Sequence, residues 1–196
     1  VRNLPSLLIT HDFEKALAIV MGTFTYSAIL PQIITHLVDQ GVSLTIATTA
    51  LSIFAIFGMI GKFVMGFIAE RISARFTLMI NLLGQAAFVT MMIWAGSPLI
   101  MWISVPLFGY FNGAFGALFQ LVVQDAFGIR NYGSIMGMIN MSSMISFGIG
   151  PLLAGFSYDI TGSYEFVFAT VAIMFTVGAI SLTQARTKAA SAAVAR

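Results

Sequence analysis

Residues Thr45–Arg75 read TIATTALSIFAIFGMIGKFVMGFIAERISAR. From Thr45 to Ala69 the side chains are apolar, small or hydroxyl-bearing except for Lys62, and then Glu70, Arg71 and Arg75 arrive together. A bilayer core of about 30 Å is crossed by roughly 20 helical residues, so the stretch predicts a transmembrane helix ending at a charged membrane face. Working outward, comparable runs predict spans from Ala16 to Val38, Phe76 to Ala95, Leu99 to Val123, Ser134 to Phe156 and Phe166 to Thr183. All are continuous apolar runs, whereas the strands of a membrane barrel are shorter and alternate with period two. The expected fold class is therefore an all-α membrane protein of six transmembrane helices. Composition agrees: 59% of residues are hydrophobic and 8% charged, against about a quarter charged in a soluble domain.

Charge supplies the orientation. With both termini in the cytoplasm, Arg2, Lys15, Arg71, Arg75, Arg130, Arg186, Lys188 and Arg196 all lie in cytoplasmic segments or at their edges, leaving only Lys62 elsewhere. The outer loops then hold Asp39, Asp159 and Glu165 and no Lys or Arg, which satisfies the positive-inside rule. The formal net charge of +2 is accounted for by topology and by anionic lipid at the inner surface, so no nucleic-acid partner is expected. The chain has no Cys, which excludes disulfides, thiolate metal sites and a cysteine nucleophile.

The chain starts Val1-Arg2-Asn3-Leu4-Pro5, without an initiator Met and without the apolar core of a signal peptide. The expected organisation is a cytoplasmic linker remnant over 1–15, a six-helix bundle over 16–184 and a cytoplasmic tail over 185–196, cut from a longer protein or forming one half of it. An internal echo supports two units. Gly61-Lys62-Phe63-Val64-Met65-Gly66-Phe67-Ile68-Ala69-Glu70 and Gly150-Pro151-Leu152-Leu153-Ala154-Gly155-Phe156-Ser157-Tyr158-Asp159 share the pattern G-x-x-x-x-G-F-x-x-acid. Glu70 falls on the cytoplasmic side and Asp159 on the other, as two inverted three-helix repeats would place them.

The loop after the second span, Gly66-Phe67-Ile68-Ala69-Glu70-Arg71-Ile72-Ser73-Ala74-Arg75, resembles the G-x-x-x-D-R-x-G-R-[RK] signature of the major facilitator superfamily. Glu70 stands for Asp, Ser73 for the second Gly and Ala74 for a base. The segments Asp125-Ala126-Phe127-Gly128-Ile129-Arg130-Asn131-Tyr132-Gly133 and Tyr158-Asp159-Ile160-Thr161-Gly162-Ser163-Tyr164 extend the resemblance, which is to the C-terminal six-helix half, and most to the monocarboxylate and oxalate/formate porter branch. It implies half of a twelve-helix transporter with alternating access about a central site. Gly66, Glu70, Arg71 and Arg75 become candidates for a gating charge cluster; the alternative is a basic loop that only sets topology.

Lys62 is the one ionisable residue well inside a span, about 12 Å from Glu70 at 1.5 Å per residue. A charge at that depth is costly and generally faces a cavity or partner. In the porters that this chain resembles, a base at this position is implicated in binding substrate carboxylate; the alternative is a lysine snorkelling to the inner surface. The resemblance also puts the first helix of each unit along the central path, which makes Tyr26, Gln32, Asn112 and Gln120 substrate-binding candidates beside Lys62. Asn140 and Ser143 are weaker ones, and hydrogen bonding between helices is the competing role for each. His36 is expected at the interface and not as a metal ligand, since no second His lies near. Pro31 is a candidate kink. The G-x-x-x-G at Gly109 and Gly113 predicts close helix packing inside the bundle. The twelve Met and eighteen Phe serve lipid contact and packing and imply no cofactor.

The expected function is secondary transport of a small organic solute, with a monocarboxylate or related anion as first choice and, as partners, the lipid bilayer and an N-terminal six-helix half, in the same longer chain or supplied by a second copy. A drug or sugar facilitator of the same superfamily is the alternative, followed by a six-helix channel. An intramembrane enzyme is not expected, because there is no Gly-x-Ser-x-Gly elbow.

Overall fold

The computed structural model describes Gly22, Thr25 and residues 28–184. The linker over 1–15, the tail over 185–196 and much of the first half of the first predicted span lie outside the described residues. A 3-10 turn, Leu30–Gln32, is followed by α1 (Ile33–Asp39), α2 (Leu44–Arg71), α3 (Ala74–Met92), α4 (Pro98–Phe127), α5 (Ile129–Thr161) and α6 (Glu165–Gln184). The helices α2 to α6 are long and apolar enough to cross a membrane, and they coincide with the second to sixth predicted spans. The observed helices run past the apolar stretches, as where α4 continues through Asp125 and α5 starts beside Arg130. Hydropathy marks only the part of a helix that must avoid water, whereas the backbone hydrogen bonds continue into the polar region.

Local chemistry sets the ends. Pro31 occupies the 3-10 turn that leads into α1, where its missing N–H breaks the α-helical ladder. Ser73, the residue that stands in place of the motif glycine, accepts a hydrogen bond from the Phe76 amide at 3.2 Å and so caps α3. Pro98 opens α4. Gly162, at φ 71°, closes α5 by donating to the Tyr158 carbonyl at 2.7 Å.

α4 runs through the middle of the bundle against α2 and α3, and α6 covers α3. Thus the third helices of the two expected three-helix units pack on each other. Their meeting surface is a helical stripe: Phe168, Val171, Phe175, Ala179 and Leu182 of α6 are buried, while Phe166, Ile173 and Ile180 on its other face are exposed. At one end of the pair Arg75 donates from Nε to the Leu182 carbonyl at 2.6 Å and from Nη2 to Thr183 at 2.8 Å. The last carbonyls of a helix have no partner within the helix, and a guanidinium also suits the negative end of its dipole. At the other end His36 is buried, stacks on Phe168 with ring centroids 4.3 Å apart, and donates from Nε2 to the Met92 carbonyl at 2.9 Å. His36, expected at the interface, stands in the last turn of α1, near Asp39, with its ring packed inside the bundle. The Met92 carbonyl, at the end of α3, accepts from both the Ala95 amide at 3.0 Å and this ring.

Candidate functional site

The site begins with glycine. Phe54, Gly58 and Gly61 on α2 face Gly109, Tyr110 and Gly113 on α4, and the two backbones touch. A Cβ at Gly61 would overlap the Tyr110 carbonyl, one at Gly109 the backbone of Phe54, and one at Gly113 the backbone of Gly58. The expected close approach of the Gly109 and Gly113 face is therefore made to α2. Gly66 behaves differently: a Cβ there would stand in open space.

This seam fixes what stands beside it. Lys62 follows Gly61, and Asn112 precedes Gly113, so the close approach puts an exposed cation on α2 and a buried amide on α4 at the same cleft. Both line a cleft of about 350 Å³ whose further wall is α5, with Asn140 and Ser143. Phe115, Phe119 and Phe147 complete its apolar lining, and Gly116 leaves room between them. Concave, largely apolar spaces of roughly 300–1,000 Å³ with a few converging polar groups are the usual form of small-molecule sites. The arrangement offers three ammonium donors from Lys62, two amides that can each donate or accept, and a hydroxyl. Ser143 uses its hydroxyl proton on the Ile139 carbonyl at 2.8 Å.

The other sequence candidates are spread more widely. Gln32 lies half-buried in the 3-10 turn, and Gln120 is exposed on α4, two turns from Asn112 and outside the cleft lining. Tyr26 lies outside the described residues. In the loop motif the guanidinium of Arg71 sits over the Phe67 ring at 4.6 Å, Arg75 is occupied by the end of α6, and Glu70 is exposed. Sequence reasoning passed over Asn81 and Gln85 on α3, which are buried and hydrogen-bonded behind Asn112. Their signal was available: two amides four residues apart inside an apolar span share one helix face.

Comparison with known proteins bears on the whole chain. It is similar to monocarboxylate transporter 14 of Homo sapiens, 31% identical over 140 residues, which cover 67% of this chain and 26% of that protein. Human monocarboxylate transporter 12 is 23% identical over 177 residues, covering 83% of this chain and 33% of the relative. Its Xenopus laevis counterpart is 26% identical over 142 residues, covering 69% and 30%. The chain thus spans about a quarter to a third of the length of the curated relatives it matches. The model of the Major Facilitator Superfamily matches residues 16–194. With membrane-length helices throughout α2 to α6 and a match across nearly its whole length, the chain belongs to the Major Facilitator Superfamily.

Proposed function

We propose that this chain is one six-helix half, the C-terminal one, of a secondary active transporter that carries a small organic anion, a monocarboxylate or a close relative. The observation that carries this reading is the juxtaposition of Lys62 with Asn112 and Asn140 in one cleft deep along α2. An ammonium at that depth is costly without a counter-charge, and an entering carboxylate supplies one. The names of the relatives point to the same class of solute. Alternating access would come from this half rocking against an N-terminal half, with the solute between them. The arginines at the Glu70 end of α2 would face the cytoplasm, in keeping with the positive-inside rule, in a cell membrane with both termini cytoplasmic. Among the described residues, Asp39, Glu70, Asp125, Asp159 and Glu165 all lie at or near helix ends, so a deep carboxylate for proton coupling falls to the other half.

The test is uptake of radiolabelled lactate and pyruvate by proteoliposomes holding the protein at its native length. Lys62→Ala should abolish saturable uptake while the protein remains in the membrane, and Lys62→Arg should retain part of it, because charge is kept while the shape of the donor changes. Undiminished uptake by Lys62→Ala would sink the anion reading. It would favour a facilitator of neutral solutes, for which the same cleft offers Phe115, Phe119 and two amides.

A further inference from the structure

Behind the cleft lies a chain of three amides, and it has a direction. Asn81, Gln85 and Asn112 are 0%, 1% and 3% exposed. Asn81 donates from Nδ2 to the Phe111 carbonyl at 2.7 Å, Gln85 donates from Nε2 to Asn81 Oδ1 at 2.8 Å, and Asn112 donates from Nδ2 to Gln85 Oε1 at a long 3.5 Å. An amide side chain can ordinarily be turned over, exchanging its donor and acceptor. Here the first link forbids it, because a backbone carbonyl only accepts. Asn81 must aim its nitrogen at Phe111 and its oxygen at Gln85; Gln85 must then aim its nitrogen back and its oxygen forward. Asn112 follows suit and keeps Oδ1 as the end of the chain, on a residue that lines the cleft. Turning over any one member would set two donors or two acceptors against each other in a buried place, where unpaired polar groups cost most.

We propose that Asn81 and Gln85 are positioning residues that hold Asn112 with its carbonyl oxygen toward the cleft, so that the preferred solute is an anion that also carries a hydrogen-bond donor. This rests on the reading of the cleft as the solute site. Lys62 receives the anionic group, while the Asn112 oxygen repels a second carboxylate oxygen and accepts from a hydroxyl or N–H. A freely turning asparagine would serve either kind of neighbour and would not discriminate.

Lactate and propionate differ by one hydroxyl and so read the device directly. In proteoliposomes holding the protein at its native length, Gln85→Leu should lower the preference for lactate over propionate by roughly twofold to tenfold, the worth of one oriented hydrogen bond. The change should come from a raised KM for lactate, a lowered KM for propionate, or both, and not from an equal rise in the two. Gln85→Glu should preserve the preference, because a buried carboxyl stays protonated; its hydroxyl then donates to Asn81 and its carbonyl accepts from Asn112. If Gln85→Leu does not accumulate in the membrane, Gln85→Met removes the same polar atoms at similar length. Equal loss for both acids would show a merely structural role and overturn the proposal, as would an unmodified protein or a Gln85→Leu variant in which the preference is absent or unchanged, respectively. Handling of neither acid by the unmodified protein would overturn the anion reading and the proposal together.

Discussion

Adding one methyl group to α2 should have opposite effects at two positions five residues apart. At Gly61 the new Cβ would meet the Tyr110 carbonyl, which is backbone and cannot rotate away, so the helices must part by about 1 Å. A gap of 0.5–1 Å forfeits about a quarter to a half of each van der Waals well of roughly 0.15 kcal/mol. If the α2–α4 seam comprises about 50 atom pairs, the number one buried leucine makes, the loss is about 2–4 kcal/mol. That agrees with the usual cost of overpacking, about 1–3 kcal/mol. At Gly66 the Cβ enters open space, and alanine gains up to about 1 kcal/mol of helix propensity. In mild detergent, the fraction surviving as a monodisperse species after stepwise heating should therefore fall earlier for Gly61→Ala than for the unmodified protein, and no earlier for Gly66→Ala. Equal midpoints for the two variants would refute the backbone contact. So would a Gly61→Ala variant rescued by no change at Tyr110 yet fully stable.

Other changes test the ends of the helices and should be read in the same heating assay. Arg75→Ala leaves the Leu182 and Thr183 carbonyls without their guanidinium donors and should cost about 1–2 kcal/mol, reduced from the buried value by partial exposure. Glu70→Gln should change stability by under about 0.5 kcal/mol, as surface substitutions do; a larger loss would mean that Glu70 is held by an interaction this structure does not show. His36→Leu removes one of the two donors to the Met92 carbonyl, which keeps the Ala95 amide, and also removes the stack on Phe168, for about 1–2 kcal/mol. Limited proteolysis should then open the end of the bundle that carries Asp39 before the end that carries Arg75.

The spans were legible because a bilayer imposes a length and a polarity on any helix that crosses it, and Thr45 to Ala69 meets both. The small-residue face at Gly109 and Gly113 was visible for a related reason. Its partner was not, since Gly58 and Gly61 look like any glycines until two helices are known to touch. Arg75 shows a harder limit: its acceptors are main-chain carbonyls 107 and 108 positions away, and every residue carries a carbonyl. Lys62 announced its importance by depth alone. Its meeting with Asn112, in contrast, depends on the register of the glycine seam, which no spacing within either helix specifies. Asn81 and Gln85 were readable as a pair, but the expectation that first helices line the path drew attention away from α3.

Between α4, 30 residues long, and α5, 33 residues long, stands a single residue, Gly128, with φ 72° and ψ 162°. That backbone conformation is open essentially to glycine alone. The two helices therefore meet at a pivot and not through a loop. Asn140 lies twelve residues along α5, about 18 Å from the pivot, so a swing of only about 10° carries the Asn140 wall roughly 3 Å. Small rotations at one glycine are enough to change the width of the cleft by the diameter of a water molecule, while the α2–α4 side, locked backbone to backbone, stays where it is.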